Sequence, residues 1–286
     1  MNEIELHNYN LEKTLLGGQS FNWDLIDGTF YGFFVDKVVK LKQEENKLYW
    51  QTYPEKDNFD FIKQYLRLGV DYNKILTQIN KDEWVDASIK KYPNLRILKQ
   101  DFDQTLISYI ISANNNINSI RRIVRNLSRS LGKQVTVDNL TFNLFPSVES
   151  IAQAPLETLL ETKAGYRARY LKDSAQKLFV EGQKLSNNED EIIKWLLEFP
   201  GIGEKVADAI LQYSLGFDNV TPLDVWVQRI LIDLYLVDSK ANYKKMRAWL
   251  QSYFNGYAGW AGQFLYEYYR NEYKFIKSKS LVGSDN

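Results

Sequence analysis

Near Asn58 the apolar residues stop recurring at every second position and begin to recur at every third or fourth. No convincing alternating segment comes after it, and this single change of period does most to limit the fold. Between Gly18 and Tyr53 the stretches QSFNWDL, TFYGFFV, KVVKLKQ and KLYWQTY alternate and are rich in β-branched and aromatic residues. Turn signals at IDG and EEN separate them, which predicts an antiparallel meander. Beyond it FDFIKQYLRLG, YNKILTQIN and EWVDASIKKYP begin a succession of helices that continues through VWVQRILIDLY and YKKMRAWLQSYF. A sheet followed by a run of helices indicates an α+β fold, with an N-terminal antiparallel twisted β-sheet domain ahead of a mostly α-helical body. The stretch YPNLRILKQD places the boundary so that residues 1–98 hold the sheet with its helices and residues 99–286 form the body. The closing SKSLVGSDN is polar and is expected to fray.

Composition narrows the chemistry. The chain has no cysteine and a single histidine, His7, which removes disulfides, thiolate nucleophiles, cysteine zinc sites and imidazole-based metal sites together. Reactivity then falls to lysine, carboxylates, hydroxyls and backbone groups. Thirty-six basic residues balance thirty-six acidic ones, so the chain lacks the charge footprint of a protein held to nucleic acid mainly by net charge. Helix N-termini and backbone N–H groups nevertheless bind phosphate without adding formal charge. No apolar run approaches the roughly 18 residues that span a bilayer. A cytoplasmic monomer without a membrane partner is expected.

The segment FPGIGEKVADAI, residues 199–210, joins two short amphipathic helices across PGIG. Gly201 and Gly203 permit backbone conformations or close approaches that a side chain would hinder, and they expose amides at the start of the next helix. The bare spacing also suits an ordinary corner between helices. Further on, Asp224 in VTPLDVWVQRI opens another helix, a position where an aspartate serves as an N-cap.

The wider string LEFPGIGEKVADAI resembles the helix-hairpin-helix of a DNA glycosylase superfamily, in which a lysine and a following aspartate are catalytic. Lys205 and Asp224 match that pair in order and spacing. Four more stretches, GGQSFNW, SANNNINSI, AGYRARY and GYAGWAGQFLY, occur in the order found in 8-oxoguanine DNA glycosylases with lyase activity, and together they extend over almost the whole chain. The resemblance implies a bifunctional repair enzyme that flips 8-oxoguanine out of duplex DNA, attacks the sugar with Lys205 and cuts the strand by β-elimination. Asp224 would stabilise the charged sugar, and the resemblance implies neither a metal nor an organic cofactor. A lysine amine attacks only when unprotonated, which near pH 7 costs about 4.6 kcal/mol from its ordinary pKa of about 10.4. Burial and a helix N-terminus both reduce that cost. A glycosylase for alkylated or other damaged bases, and a non-catalytic hairpin protein, are the competing readings.

The same resemblance assigns the remaining positions. Gly18 would offer its carbonyl to the N7 hydrogen that distinguishes 8-oxoguanine from guanine. Asn114 would face the orphaned partner base, with Tyr166 as a wedge and Arg167 as a reader of that base. Gly201 and Gly203 would grip phosphate, and Tyr266 would stack on the flipped base. Several positions depart from the family pattern. Ser119 stands where an arginine helps impose cytosine opposite the lesion, which predicts relaxed opposite-base preference. Ala209 replaces a cysteine that stacks against the lesion, leaving a smaller pocket wall. Gly262 occupies the place of the lesion-reading glutamine, with Gln263 beside it. Trp226 replaces a histidine that contacts phosphate.

Overall fold

The computed structural model describes residues 1–273 of the chain, and the polar SKSLVGSDN ending lies outside the described residues. The N-terminal sheet has five antiparallel strands, β1 (Asn2–Glu5), β2 (Trp23–Ile26), β3 (Thr29–Phe33), β4 (Val38–Glu44) and β5 (Lys47–Tyr53), in the order β1-β5-β4-β3-β2. Alternation along these strands works as strand geometry requires. Trp23, Phe30, Leu41, Leu48 and Trp50 turn to one face and pack with α1 (Leu11–Leu16) and α2 (Phe59–Tyr65). Tyr31 and Val38 point to the other.

That other face is covered by an element the sequence reading did not anticipate. A two-stranded hairpin, β6 (Gln134–Val137) and β7 (Leu140–Asn143), lays Val137 and Phe142 against Tyr31, with the Phe142 and Tyr31 rings stacked at 5.1 Å. Its turn is Asp138 and Asn139, both with positive φ (51° and 64°), the pairing a two-residue hairpin turn requires. Alternation therefore does return after Asn58, in VTVDNLTF.

The body is organised around α5 (Phe102–Ile111), which is buried on every side except at Asp103. Around it lie α6 (Ile117–Leu131), α7 (Val148–Gln153), α8 (Leu156–Glu161), α9 (Arg167–Glu181), α10 (Glu189–Leu196), α11 (Glu204–Ile210), α12 (Val225–Tyr235), α13 (Tyr243–Phe254) and α14 (Ala258–Tyr268). Packing does not follow a cut at residue 98. From α3 (Tyr72–Ile79) and α4 (Glu83–Lys91), Tyr72, Ile75, Ile79 and Val85 belong to the same core as α5, α11 and α14, because α1 and α2 already cover that face of the sheet.

Two local devices position the site. The buried side chain of Gln19 donates to Thr14 O (2.9 Å) and Arg96 O (2.8 Å) and accepts from Leu98 N (2.8 Å), which fixes the Gly17–Gly18 turn to the segment entering α5. After α11 the helix widens into a π-turn over Leu211–Leu215 and ends at Gly216 in the left-handed region. Such an inserted residue rotates the side chains beyond it around the helix axis, and here Tyr213 faces Tyr109 of α5, their rings stacked at 5.7 Å.

Candidate active site

The turn PGIG brings α10 and α11 together, and Gly203 caps α11 with no side-chain hydrogen bond, leaving the first amides of that helix open. Gly201 has φ +85° and is packed on the Tyr170 ring. Both glycines line an outer groove with Asn114, Arg121, Trp226 and Arg270. An inner cavity holds Gly18, Tyr109, Tyr213, Gln263 and Tyr266. The two spaces share Ser112, Lys205, Asp224 and Tyr266 as walls, so they meet at the expected catalytic pair.

Lys205 is the second residue of α11. Its Nζ donates to Ser112 Oγ at 3.3 Å and lies 5.5 Å from the centre of the Tyr109 ring. The Ser112 hydroxyl donates in turn to Tyr109 O (2.7 Å). Burial pushes the Lys205 pKa below its ordinary value, and Asp224 opposes that shift without removing it. Asp224 is pushed above the usual carboxylate range by its own burial, against the pull of the Val227 amide and Lys205. No ion pair within 4.0 Å joins the two, and among the described residues the amine's hydrogen-bond partner is the neutral Ser112 hydroxyl.

Asp224 also caps α12. Its Oδ1 accepts from the backbone N–H groups of Trp226 and Val227, both at 2.9 Å. The capping and the functional readings thus hold together in one side chain. A buried relay ties this segment to α11. The Tyr243 hydroxyl donates to Asp208 Oδ2 (2.6 Å) and accepts from the N–H of Leu223 (3.3 Å), the residue before Asp224. Asp208 is further held by Arg247 Nε at 3.0 Å. Sequence reading passed over Asp208 and Tyr243, since their partnership spans 35 residues.

Gly18 has φ +91°, and a Cβ there would meet Ile117 Cδ1 at 2.7 Å, so the turn beside the cavity requires glycine. Gln263 is buried, its Oε1 accepting from the Tyr213 hydroxyl at 2.8 Å. Gly262 lines the same cavity with backbone alone, and Thr221 packs into the space a side chain would need. Tyr266 forms a wall, and its hydroxyl accepts from Arg270 Nη1 at 3.1 Å. Ala209 is fully buried and does not reach the cavity, whose wall on that side is Tyr213, one turn further along the helix.

At the groove, Asn114 is exposed and adopts φ +48°. Tyr166 is 54% exposed, as a side chain available to enter a duplex must be. Arg167, by contrast, is turned inward. Its guanidinium donates to Ala113 O through Nε (2.7 Å) and to Asn114 O through Nη2 (2.9 Å), so in this arrangement it holds the asparagine turn instead of projecting outward. Ser119 sits in the first turn of α6, where its N–H is capped by Asn116 Oδ1 (3.0 Å). Asn118 and Arg121, not Ser119, line the groove from that turn. Trp226 lines the groove with the Arg229 guanidinium 5.3 Å from its ring. Among the described residues no group of histidine and carboxylate side chains is arranged to hold a metal ion.

Residues 2–106 match the family described as 8-oxoguanine DNA glycosylase, N-terminal domain, and residues 107–255 match the HhH-GPD superfamily of base excision DNA repair proteins. An N-glycosylase/DNA lyase of Saccharomyces cerevisiae is 29% identical over 270 residues, covering 82% of this chain and 70% of the yeast protein. Among solved structures, MBOgg1 in complex with a low affinity DNA ligand superposes with a TM-score of 0.87 at 32% identity, covering 94% of each chain. The 8-oxoguanine glycosylase/lyase of Clostridium acetobutylicum, bound to double-stranded DNA containing cytosine opposite 8-oxoguanine, superposes with a TM-score of 0.85 at 28% identity. That likeness covers 94% of this chain and 98% of the other.

Proposed function

This chain belongs to the 8-oxoguanine DNA glycosylase family, within the HhH-GPD superfamily of base excision repair proteins, and from that premise we propose that it excises 8-oxoguanine from duplex DNA and then cuts the strand as a lyase. The observation that carries the reading is the largely buried Lys205 amine, paired with no carboxylate among the described residues, at the junction of an inner cavity and an outer groove. A duplex lies along the groove against the hairpin amides, and the damaged nucleotide turns into the cavity. As the glycosidic bond breaks, the Asp224 carboxylate stabilises the positive charge on the sugar. The neutral amine of Lys205 bonds to C1′ as the base leaves with the glycosidic electron pair; a proton then passes from the nitrogen to O4′ as the C1′–O4′ bond breaks, opening the ring to a Schiff base with O4′ kept as a hydroxyl on C4′. Proton loss from C2′ then expels the 3′ phosphate.

The Gly18 carbonyl reads the N7 hydrogen of the lesion. Gln263, whose amide is oriented by Tyr213, takes the base edge, since Gly262 has no side chain to offer. Asn114 and Tyr166 fill the gap in the duplex. Position 119 carries a short hydroxyl outside the groove, which supports weak discrimination of the opposite base.

Borohydride trapping on duplexes carrying 8-oxoguanine opposite each of the four bases tests the reading, with wild type beside Lys205→Gln. Wild type is expected to form a covalent adduct on all four and the variant on none. Base release without any adduct would exclude the Schiff base, and equal trapping by the variant would move the nucleophile elsewhere. Strong dependence on cytosine would refute the argument from Ser119.

A further inference from the structure

We propose that Arg121 and Arg270 form a paired-guanidinium site for one phosphodiester of the bound DNA, in the wall of the groove. Arg121 comes from the first turns of α6, and Arg270 from the π-turn over Tyr269–Tyr273 that succeeds α14. Both line the groove that holds Lys205, Asp224 and Trp226, together with Gly201 and Gly203. Arg270 Nη1 approaches the Gly18 turn, 4.0 Å from where a Cβ would stand on that glycine.

Their pairing sets them apart from the other inward-turned arginines. Arg67 is bidentate to Asp218, Arg247 is held by Asp208 and Glu189, Arg125 pairs with Asp24, and Arg167 is spent on backbone carbonyls. Arg121 makes one hydrogen bond, from Nη2 to Leu16 O at 3.1 Å, and its buried Nε has no partner. Arg270 makes one, to the Tyr266 hydroxyl. Among the described residues neither has a carboxylate within ion-pair distance. Glu267 acts on Arg270 electrostatically with its Oε2 bound to Asn271 Nδ2, and Asp24 acts on Arg121 while paired with Arg125.

Arg121 feels the charge of Arg125 and Arg270 against the pull of Asp24, a repulsion that an anion in the groove lessens. A phosphodiester has the oxygens to receive N–H donors from both. The site would supply the positive charge that Trp226 lacks within the same groove. The inference rests on the reading of the groove as a DNA interface.

The test measures equilibrium binding of a duplex containing 8-oxoguanine against salt concentration, for wild type, Arg121→Gln, Arg270→Gln and the double variant. Each single variant should weaken binding by about tenfold to hundredfold. Each should also flatten the slope of log affinity against log salt by about 0.9, and the double variant by no more than that, since one phosphate is shared. A duplex carrying one neutral methylphosphonate at each position in turn should reveal a linkage to which wild type is sensitive and the double variant is not. Arg→Lys variants keep the charge and should keep the slope, which separates a lost contact from a misfolded protein. Unchanged slopes together with unchanged methylphosphonate sensitivity would overturn the clamp while leaving DNA binding intact. A double variant losing about twice the slope would overturn the sharing. A wild type that fails to bind duplex at all would remove the DNA reading from which the proposal starts.

Discussion

A single methyl group at position 262 should slow base excision more than it weakens the fold. Gly262 of α14 lies against the segment leading to Asp224, and a Cβ there would stand 2.4 Å from Thr221 Cγ2 and 2.8 Å from Thr221 Oγ1. Ordinary contact between carbons begins near 3.5 Å, so Thr221 must retreat by about 1 Å. Thr221 cannot simply rotate away, because its hydroxyl donates to Ala258 O at 2.6 Å. The displacement therefore passes along Pro222 and Leu223 to Asp224. Overpacking of this kind costs about 1–3 kcal/mol of stability. A 1 Å misplacement of a catalytic group costs on the order of 10²-fold in rate. Single-turnover excision of 8-oxoguanine by Gly262→Ala, alongside urea unfolding, reads both quantities. Thr221→Ser removes the nearest atom and keeps the hydroxyl, so it should recover much of the lost rate in the Gly262→Ala background. A wild-type rate for Gly262→Ala, or no recovery in the double variant, would refute the chain of contacts.

Tyr243→Phe leaves the Leu223 N–H without its acceptor and Asp208 without one donor. An unmet buried group costs about 1–3 kcal/mol. The excision rate should fall about tenfold with the duplex dissociation constant unchanged, and an unaltered rate would show the relay to be idle. Because burial lowers the Lys205 pKa, the unfolded chain binds more protons than the native one between that depressed value and the ordinary lysine value. This group's contribution to stability therefore increases with pH across that interval. Lys205→Met should exceed wild type in urea stability near neutral pH, with a margin that shrinks as pH rises, and a margin that grew with pH would contradict the assignment.

Much of this arrangement could be read before any coordinates. Alternation marked the four strands of the meander because one sheet face packs on α1 and α2, and helical spacing marked the body because each helix buries one stripe. The hairpin, Lys205 and Asp224 were legible since their spacing is local and their chemistry uncommon. The β6–β7 hairpin was missed although the Asp138–Asn139 turn signals it, because its two short strands stand alone between α6 and α7 and join no run of alternating segments. That α3 and α4 pack on the core of the body was not legible for a different reason: an amphipathic helix shows that it has a core face but not which core receives it. Arg121, Arg167 and Arg270 look alike in sequence, and only the placement of Leu16, Ala113 and Tyr266 separates one that braces a loop from two that face a groove.

The double duty of Asp224 divides between its two oxygens. Oδ1 takes both capping amides, and an asparagine offers the same carbonyl acceptor in the same place. Asp224→Asn therefore preserves the start of α12 while removing the charge needed on the reacting sugar. The result is a protein that keeps its shape and its grip on damaged DNA but stalls before the bond breaks, which is the form suited to capturing the intact lesion seated in the cavity.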